Sequence, residues 1–214
     1  VIKAVVFDVG ETLIDETRIW SRWADRLGVT RLTFMGVIGG MAALDRSYAD
    51  AFQVVRPGID IDAEVAAWAR EEPGSLRNRF DADDLYPDVR EALQALRDAG
   101  HQVIIAGNQP VEAYDALAAM GLPADSIHTS DGWGVAKPQP EFFAKVAAVA
   151  GREPREILYV GDRLDNDVLP AKQAGMRAAL LRRGPWGYLH AERPEAARAD
   201  MVVGDLHALV RALV

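Results

Sequence analysis

Three aspartates, Asp8, Asp162 and Asp167, stand where carboxylates can gather around a cation. Asp8 lies at the end of the apolar, β-branched run VIKAVVFDV (Val1 to Val9), just ahead of Gly10. Asp162 ends the run EILYVGD (Glu156 to Asp162), and Asp167 follows five positions later. In open α/β sheets ligands bind outside the carboxyl ends of the strands, so these side chains converge on one rim despite their separation in the chain. Oxygen donors of this kind suit Mg2+, which typically takes one or two carboxylates, several waters and a substrate phosphate. Lys137, in the loop GVAKPQP, is within reach of the same rim. There an ammonium would balance the negative cluster and neutralise a phosphoryl oxygen during transfer. The stretch Asp8 to Thr12 and the pair Gly107 and Asn108 occupy equivalent strand-end positions.

Such a rim requires a sheet of parallel strands, and the chain is patterned for one. Apolar runs without helical spacing recur at HQVIIAG (His101 to Gly107), SIHTS (Ser126 to Ser130), EILYVGD, MRAALL (Met176 to Leu181) and, more weakly, ADMVVGD (Ala199 to Asp205). They read as buried strands. Helical patterns separate them. Pro87 opens one in which Val89, Leu93 and Leu96 stand at i, i+4 and i+7 before Gly100. Others run from Val111 to Met120, from Pro140 through Phe142, Phe143, Val146 and Val149 to Gly151, and from Asp167 to Gly175. The alternation predicts right-handed crossover units on a parallel α/β sheet.

Residues 15–85 break this rhythm. Ile19, Trp23 and Leu27 recur at helical spacing, followed by Phe34, Val37, Ile38, Met41 and Leu44, then Val65, Trp68 and Ala69, with no β-rich run between them. The segment therefore reads as an all-helical insertion after the first strand, punctuated by turns at Pro57-Gly58 and Glu71 to Ser75 (EEPGS). Its aromatics Trp20, Trp23, Phe34 and Trp68 sit at helical spacing and are expected to form its core. The loop RRGPWGY, Arg182 to Tyr188, is expected to be a packed turn.

Composition narrows the function. The 214 residues are 50% apolar and carry a formal charge of −8, so no basic surface exists to hold a nucleic-acid backbone. The absence of cysteine removes disulfides, thiolate nucleophiles and thiolate metal sites, and suits a reducing, cytoplasmic setting. No apolar run approaches the roughly 20 residues of a membrane span, and Val1 to Val9 is too short for a signal peptide. His101, His128, His190 and His207 are scattered singly, and none is assigned a role.

Together these segments resemble the haloacid dehalogenase-like (HAD) hydrolase superfamily over nearly the whole chain. FDVGETL (Phe7 to Leu13) resembles its first motif, VIIAGN (Val103 to Asn108) its second, Lys137-Pro138 its third and VGDRLDNDVLPAKQAGM (Val160 to Met176) its fourth. The resemblance implies a Rossmann-like α/β core at 1–14 and 86–214, with a helical cap domain at 15–85. It implies that Asp8 is a nucleophile forming a covalent aspartyl intermediate, with Lys137 as its catalytic cation. It also implies Mg2+ held by Asp8, the Gly10 carbonyl and Asp162, with Asp167 orienting Lys137 or holding a metal-bound water. Thr12, Gly107 and Asn108 would be substrate contacts, and the substrate a small phosphate ester hydrolysed by phosphoryl transfer.

Two positions depart from the phosphatase pattern. Gly10 stands where a second aspartate would protonate the leaving oxygen, and Gly107 stands where a Ser or Thr hydroxyl would bind the phosphoryl group. General acid–base help typically contributes about 10²- to 10⁴-fold, so slow turnover is one expectation. Dehalogenase-like and phosphonate-cleaving branches also lack that aspartate. A dehalogenase using Asp8 on carbon is therefore a second reading, although that branch usually has an aromatic residue at the position of Gly10. A non-catalytic metabolite-binding protein is a third. Glu11 could replace the missing acid only through a rearranged loop, and Asp167 could instead simply cap the helix after it.

Overall fold

The computed structural model of the chain describes residues 1–73 and 80–214. Two compact units are present: Val1–Asp15 together with Asp81–Val214, and Glu16–Phe80.

The first unit begins with β1 (Ala4–Phe7), and the helices of the second unit follow: α1 (Thr17–Leu27), α2 (Arg31–Ala43), α3 (Tyr48–Val55) and α4 (Ile61–Glu71). The chain then continues through α5 (Val89–Asp98), β2 (Gln102–Gly107), α6 (Ala113–Ala119), β3 (Ser126–Thr129), α7 (Ser130–Trp133) and α8 (Pro140–Ala150). It closes with β4 (Ile157–Gly161), α9 (Leu169–Gln173), β5 (Arg177–Leu181), α10 (Gly184–Ala191), β6 (Met201–Val203) and α11 (Leu206–Leu213). The six strands form one parallel sheet in the order β3-β2-β1-β4-β5-β6. The order reverses direction at β1, and the crevice beyond β1 and β4 is the switch point where such sheets take ligands.

Burial explains why the strands read as continuous apolar runs. Every residue of β1 and β4 is buried. Ala4, Val6, Ile104, Ala106 and Tyr159 belong to one cluster with Phe142, Phe143 and Val146 of α8, while the alternating Val5, Phe7, Val103 and Ile105 are fully buried as well. A parallel sheet covered on both faces has no polar alternation. Helix α5 buries Val89, Leu93 and Leu96 as their spacing predicts, and Gly100 follows its end at φ 88°.

The helical unit is held by aromatic packing. Trp23 lies edge-on to Phe52 and Trp68, with ring centroids 4.8 and 4.9 Å away, and Phe34 meets Phe52 at 5.1 Å. Trp20 is half-buried against Phe34, Tyr48 and Phe52. Helix α3 was not legible from spacing; Ser47 starts it by accepting a hydrogen bond from Ala49 N–H. Of the expected breaker at Glu71 to Ser75, Gly74 and Ser75 lie outside the described residues.

The chain re-enters the core unit at Asp81 because the returning segment pairs with the outgoing one. Ile14 bridges Leu85, Asp15 N–H donates to Asp84 O (2.8 Å), and Tyr86 N–H donates to Leu13 O (3.0 Å). Two local expectations change. Arg182 to Tyr188 is not a packed turn: Arg183 precedes the first residue of α10, with Pro185 in its first turn. The segment expected to be helical from Asp167 begins earlier, as a π-helical turn at Leu164–Val168 that leads into α9. Among the described residues no helix is long and apolar enough to cross a membrane.

Candidate active site

β1 and β4 are neighbours in register, with Phe7 opposite Val160, so Asp8 and Asp162 leave the sheet side by side. Asp8 N–H donates to Val160 O at 2.9 Å, which extends the pairing by one residue. The π-helical turn after β4 then folds Asp167 back beneath the strand end. Gly161 makes this possible: the space a Cβ would fill there is occupied by the Asp167 carboxyl group. Carboxylate oxygens of Asp8, Asp162 and Asp167 lie within 4.8 Å of one another.

Lys137 is buried at the centre of this cluster. Its Nζ is 2.7 Å from Asp8 Oδ1 and 2.7 Å from Asp167 Oδ1, and it stands 5.5 Å from the centroid of the Tyr159 ring. Burial pulls the ammonium toward deprotonation, but the Asp167 and Asp8 carboxylates outweigh it and hold the lysine well above its ordinary value. Asp167 does not cap the helix that follows. Its Oδ1 accepts from Lys137 and its Oδ2 accepts from Arg163 N–H at 2.9 Å, so both oxygens serve the site. Burial together with the neighbouring Asp8 raises Asp167 in spite of the opposing ammonium.

Asp162 differs from its two neighbours. Its carboxyl makes no hydrogen bond or ion pair among the described residues, and burial followed by Asp167, Asp8 and Glu11 pushes it well above the usual carboxylate range. A buried carboxylate facing other carboxylates is unfavourable unless a cation joins it. Gly10 O likewise accepts no hydrogen bond among the described residues, since the N–H groups of Thr12, Leu13 and Ile14 all go to Val9 O. Three clustered carboxylates, with a main-chain oxygen two residues past Asp8 that no described residue engages, are the donor set that suits a hard divalent cation such as Mg2+.

The remaining expected residues take particular places. Gly107 packs against the nucleophile candidate, with the Asp8 carboxylate filling the space of a Cβ. Asn108 is exposed, but its amide is engaged on the Lys137 main chain: Nδ2 donates to Lys137 O (2.9 Å) and Oδ1 accepts from Lys137 N–H (2.8 Å). Thr12 is fully buried and its Oγ has no hydrogen-bond partner among the described residues. Glu11 sits at φ 50°, in the left-handed region, and accepts a hydrogen bond from the Tyr86 hydroxyl (2.6 Å). Burial, then the Glu11 carboxylate, raises the Tyr86 phenol far above its ordinary value.

Three further residues at this rim are not among the expected site residues, and His190 and Tyr159 had no sequence signal of their own. His190 Nδ1 accepts from Leu164 N–H (2.9 Å) and so fixes the start of the π-helical turn. Tyr159 donates to Ala106 O (2.7 Å) beneath Lys137. Arg183 reaches Thr12 O, and a signal for it did exist: it stands just past the carboxyl end of β5, where ligand-side residues are expected.

A parallel sheet with an inserted all-helical cap, carrying a buried aspartate cluster at its switch point, is the architecture of one hydrolase class. A sequence profile of the haloacid dehalogenase-like hydrolase family matches residues 2–175, and the chain belongs to that family. The chain is 31% identical to a glyceraldehyde 3-phosphate phosphatase of Pyrococcus furiosus over 229 residues, spanning 99% of this chain and 93% of the relative. It is 30% identical over 224 residues to a phosphoglycolate phosphatase of Vibrio vulnificus, spanning 98% and 95% of the two chains. Among solved structures it is similar to an L-2-haloacid dehalogenase of Xanthobacter autotrophicus with chloropropionic acid covalently bound. That match has a TM-score of 0.69 at 25% identity and covers 100% of this chain and 98% of the other.

Proposed function

We infer that this hydrolase is a Mg2+-dependent phosphatase of a small phosphorylated metabolite, with Asp8 as nucleophile. The observation that carries the reading is the site's division of labour. Lys137 bridges Asp8 and Asp167 at 2.7 Å each, while Asp162, within 4.8 Å of both, keeps a carboxyl with no hydrogen-bond or ion-pair partner among the described residues. A dehalogenation at carbon has no evident use for that additional buried carboxylate. The phosphatase relatives in Pyrococcus furiosus and Vibrio vulnificus support the same reaction class.

In this reading an Asp8 carboxylate oxygen attacks phosphorus, forming the O–P bond of an aspartyl phosphate as the bond to the leaving oxygen breaks. The leaving oxygen takes its proton from solvent, since Gly10 has none to give. Water then attacks phosphorus, releasing inorganic phosphate and restoring the carboxylate. Lys137 neutralises charge beside the nucleophile, and Asp167, bonded to both Lys137 and Arg163 N–H, holds that ammonium in place. Asp8, Gly10 O and Asp162, with Asp167 behind them, would hold Mg2+, which when bound supplies charge neutralisation at the transferring phosphoryl group. Thr12, Gly107 and Asn108 line or brace the nucleophile's surroundings as candidate substrate-side positions. The helical unit is proposed to serve as the cap domain, with the bounds of 15–85 expected from sequence drawn in to Glu16–Phe80, because the chain is already back in the core unit at Asp81.

The deciding experiment follows label from H2¹⁸O during turnover of p-nitrophenyl phosphate and of chloroacetate, using wild type and Asp8→Asn. The expected result is label in phosphate, none in Asp8, and loss of turnover in the variant. Label entering Asp8 during chloroacetate turnover would replace this reading with the dehalogenase. Identical behaviour of the two proteins on both substrates would leave a binding protein.

A further inference from the structure

We propose that Arg183 is a positioning residue for the nucleophile loop, bracing the turn that follows Asp8 from the far end of β5. Arg183 is buried, with 7% of the residue exposed, and its guanidinium makes three contacts. Nη1 donates to Thr12 O at 2.9 Å, Nη2 pairs with Asp88, and the guanidinium carbon stands 4.1 Å from the centroid of the Tyr86 ring. Asp88 is itself fixed, because its Oδ2 also accepts from Leu206 N–H (2.9 Å) at the start of α11.

These contacts converge on a short stretch of chain. Arg183 holds Thr12 O, Tyr86 holds Leu13 O through its N–H and Glu11 through its hydroxyl, and a Cβ at Gly184 would lie 2.6 Å from Glu11 Cγ. Glu11, Thr12 and Leu13 are thus each restrained by Tyr86, Arg183 or Gly184. The same turn carries Gly10 and begins one residue after Asp8. An arginine suits the task because its planar head can donate in two directions while stacking on an aromatic face, which a lysine cannot reproduce. Arg183 also lies beyond residues 2–175, the part of the chain that carries the family match. The brace is therefore supplied by a segment outside the recognised motifs.

The kinetic arm of the test rests on the phosphatase reading; the structural arm does not. Arg183→Gln and Arg183→Lys are compared with wild type by amide hydrogen exchange without substrate, and by kcat and KM on p-nitrophenyl phosphate with Mg2+. Misplacement of a reacting group by about 1 Å can lower rate on the order of 10²-fold. The expected result is faster exchange confined to residues 11–14, with β1 and β4 amides unchanged. It is accompanied by a tenfold to hundredfold fall in kcat at nearly constant KM, smaller in Arg183→Lys. If Arg183→Gln fails to fold, the lysine variant carries the same comparison. Wild-type exchange at residues 11–14, or an equal rise across β1 and β4, overturns the proposal. So does an unchanged kcat where wild type turns over. A wild type with no turnover at all removes the phosphatase reading, and the exchange pattern still decides the brace.

Discussion

Asn108 and Lys137 are joined by two hydrogen bonds in which a side-chain amide plays the part of a neighbouring strand, giving one and taking one with the lysine's own peptide groups. The lysine at the centre of the aspartate cluster is thereby held by its backbone as well as by its ammonium. Each such bond contributes about 0.5–1.5 kcal/mol net. Asn108→Ala should lower stability by about 1–3 kcal/mol and reduce kcat. Asn108→Asp, which keeps the acceptor for Lys137 N–H but sets an oxygen against Lys137 O, should not restore activity. Denaturant unfolding and steady-state kinetics check both, and a fully active Asn108→Ala would show that the clasp is dispensable.

Gly161 tests how tightly the fourth motif is packed. A methyl group at this position has nowhere to go but the volume of the Asp167 carboxyl. Overpacking typically costs about 1–3 kcal/mol. Gly161→Ala should therefore be destabilised by roughly that amount, and more strongly impaired in turnover, because displaced Asp167 no longer meets Lys137. Thermal melting with parallel rate measurements decides; an unchanged melting temperature would mean that Asp167 has another rotamer available.

Binding of Mg2+ should appear as thermal stabilisation. At 100 times the dissociation constant a ligand adds about 2.7 kcal/mol, which for a chain of this size is a rise of several degrees in Tm. EDTA should abolish the rise, and Asp162→Asn should not show it although it folds, since the substitution relieves a buried carboxylate that has no hydrogen-bond or ion-pair partner among the described residues. Equal Tm values with Mg2+ and with EDTA in wild type would argue against the cation site.

The glycine at position 10 predicts a steep dependence on leaving group. Without a proton donor there, p-nitrophenyl phosphate and acyl phosphates should be cleaved far faster than alkyl phosphates, by a margin of up to about 10²- to 10⁴-fold. Gly10→Asp should narrow that gap. Equal rates across leaving-group pKa, with chemistry limiting, would point to another acid.

Away from the site, Asp200 sets part of the acid limit of stability. Burial alone would raise its pKa, but Lys172, Ala178 N–H and Arg177 together hold it below the ordinary value. A carboxylate depressed on folding stabilises above the unfolded pKa, about 3.9, and loses that contribution as pH falls through the folded value. Asp200→Asn should thus lower stability near neutral pH and flatten its decline below about pH 4. Urea unfolding at several pH values measures this, and parallel acid limbs for the two proteins would contradict it.

The sheet, its parallel sense and the aspartates at its rim were legible in the sequence because each depends on local pattern. Apolar runs stop where strands stop, so Asp8 and Asp162 were marked by their own neighbours. Helix α3 carries too little periodicity in its eight residues to show in the sequence, and in Arg182 to Tyr188 the Gly and Pro that suggest a turn start a helix instead of ending one. What surrounds the aspartates was decided by tertiary structure alone. Asn108 meets the Lys137 main chain across 29 residues, and Arg183 meets Thr12 across 171. Such partners are chosen by strand register and by which loops reach the same rim, and a side chain's own sequence neighbourhood is blind to both. The sequence by itself therefore determined which groups the rim offers; only the packed sheet determined which of them are already engaged with one another, Lys137 with Asp8 and Asp167, and that Asp162 stands beside them outside those pairings among the described residues.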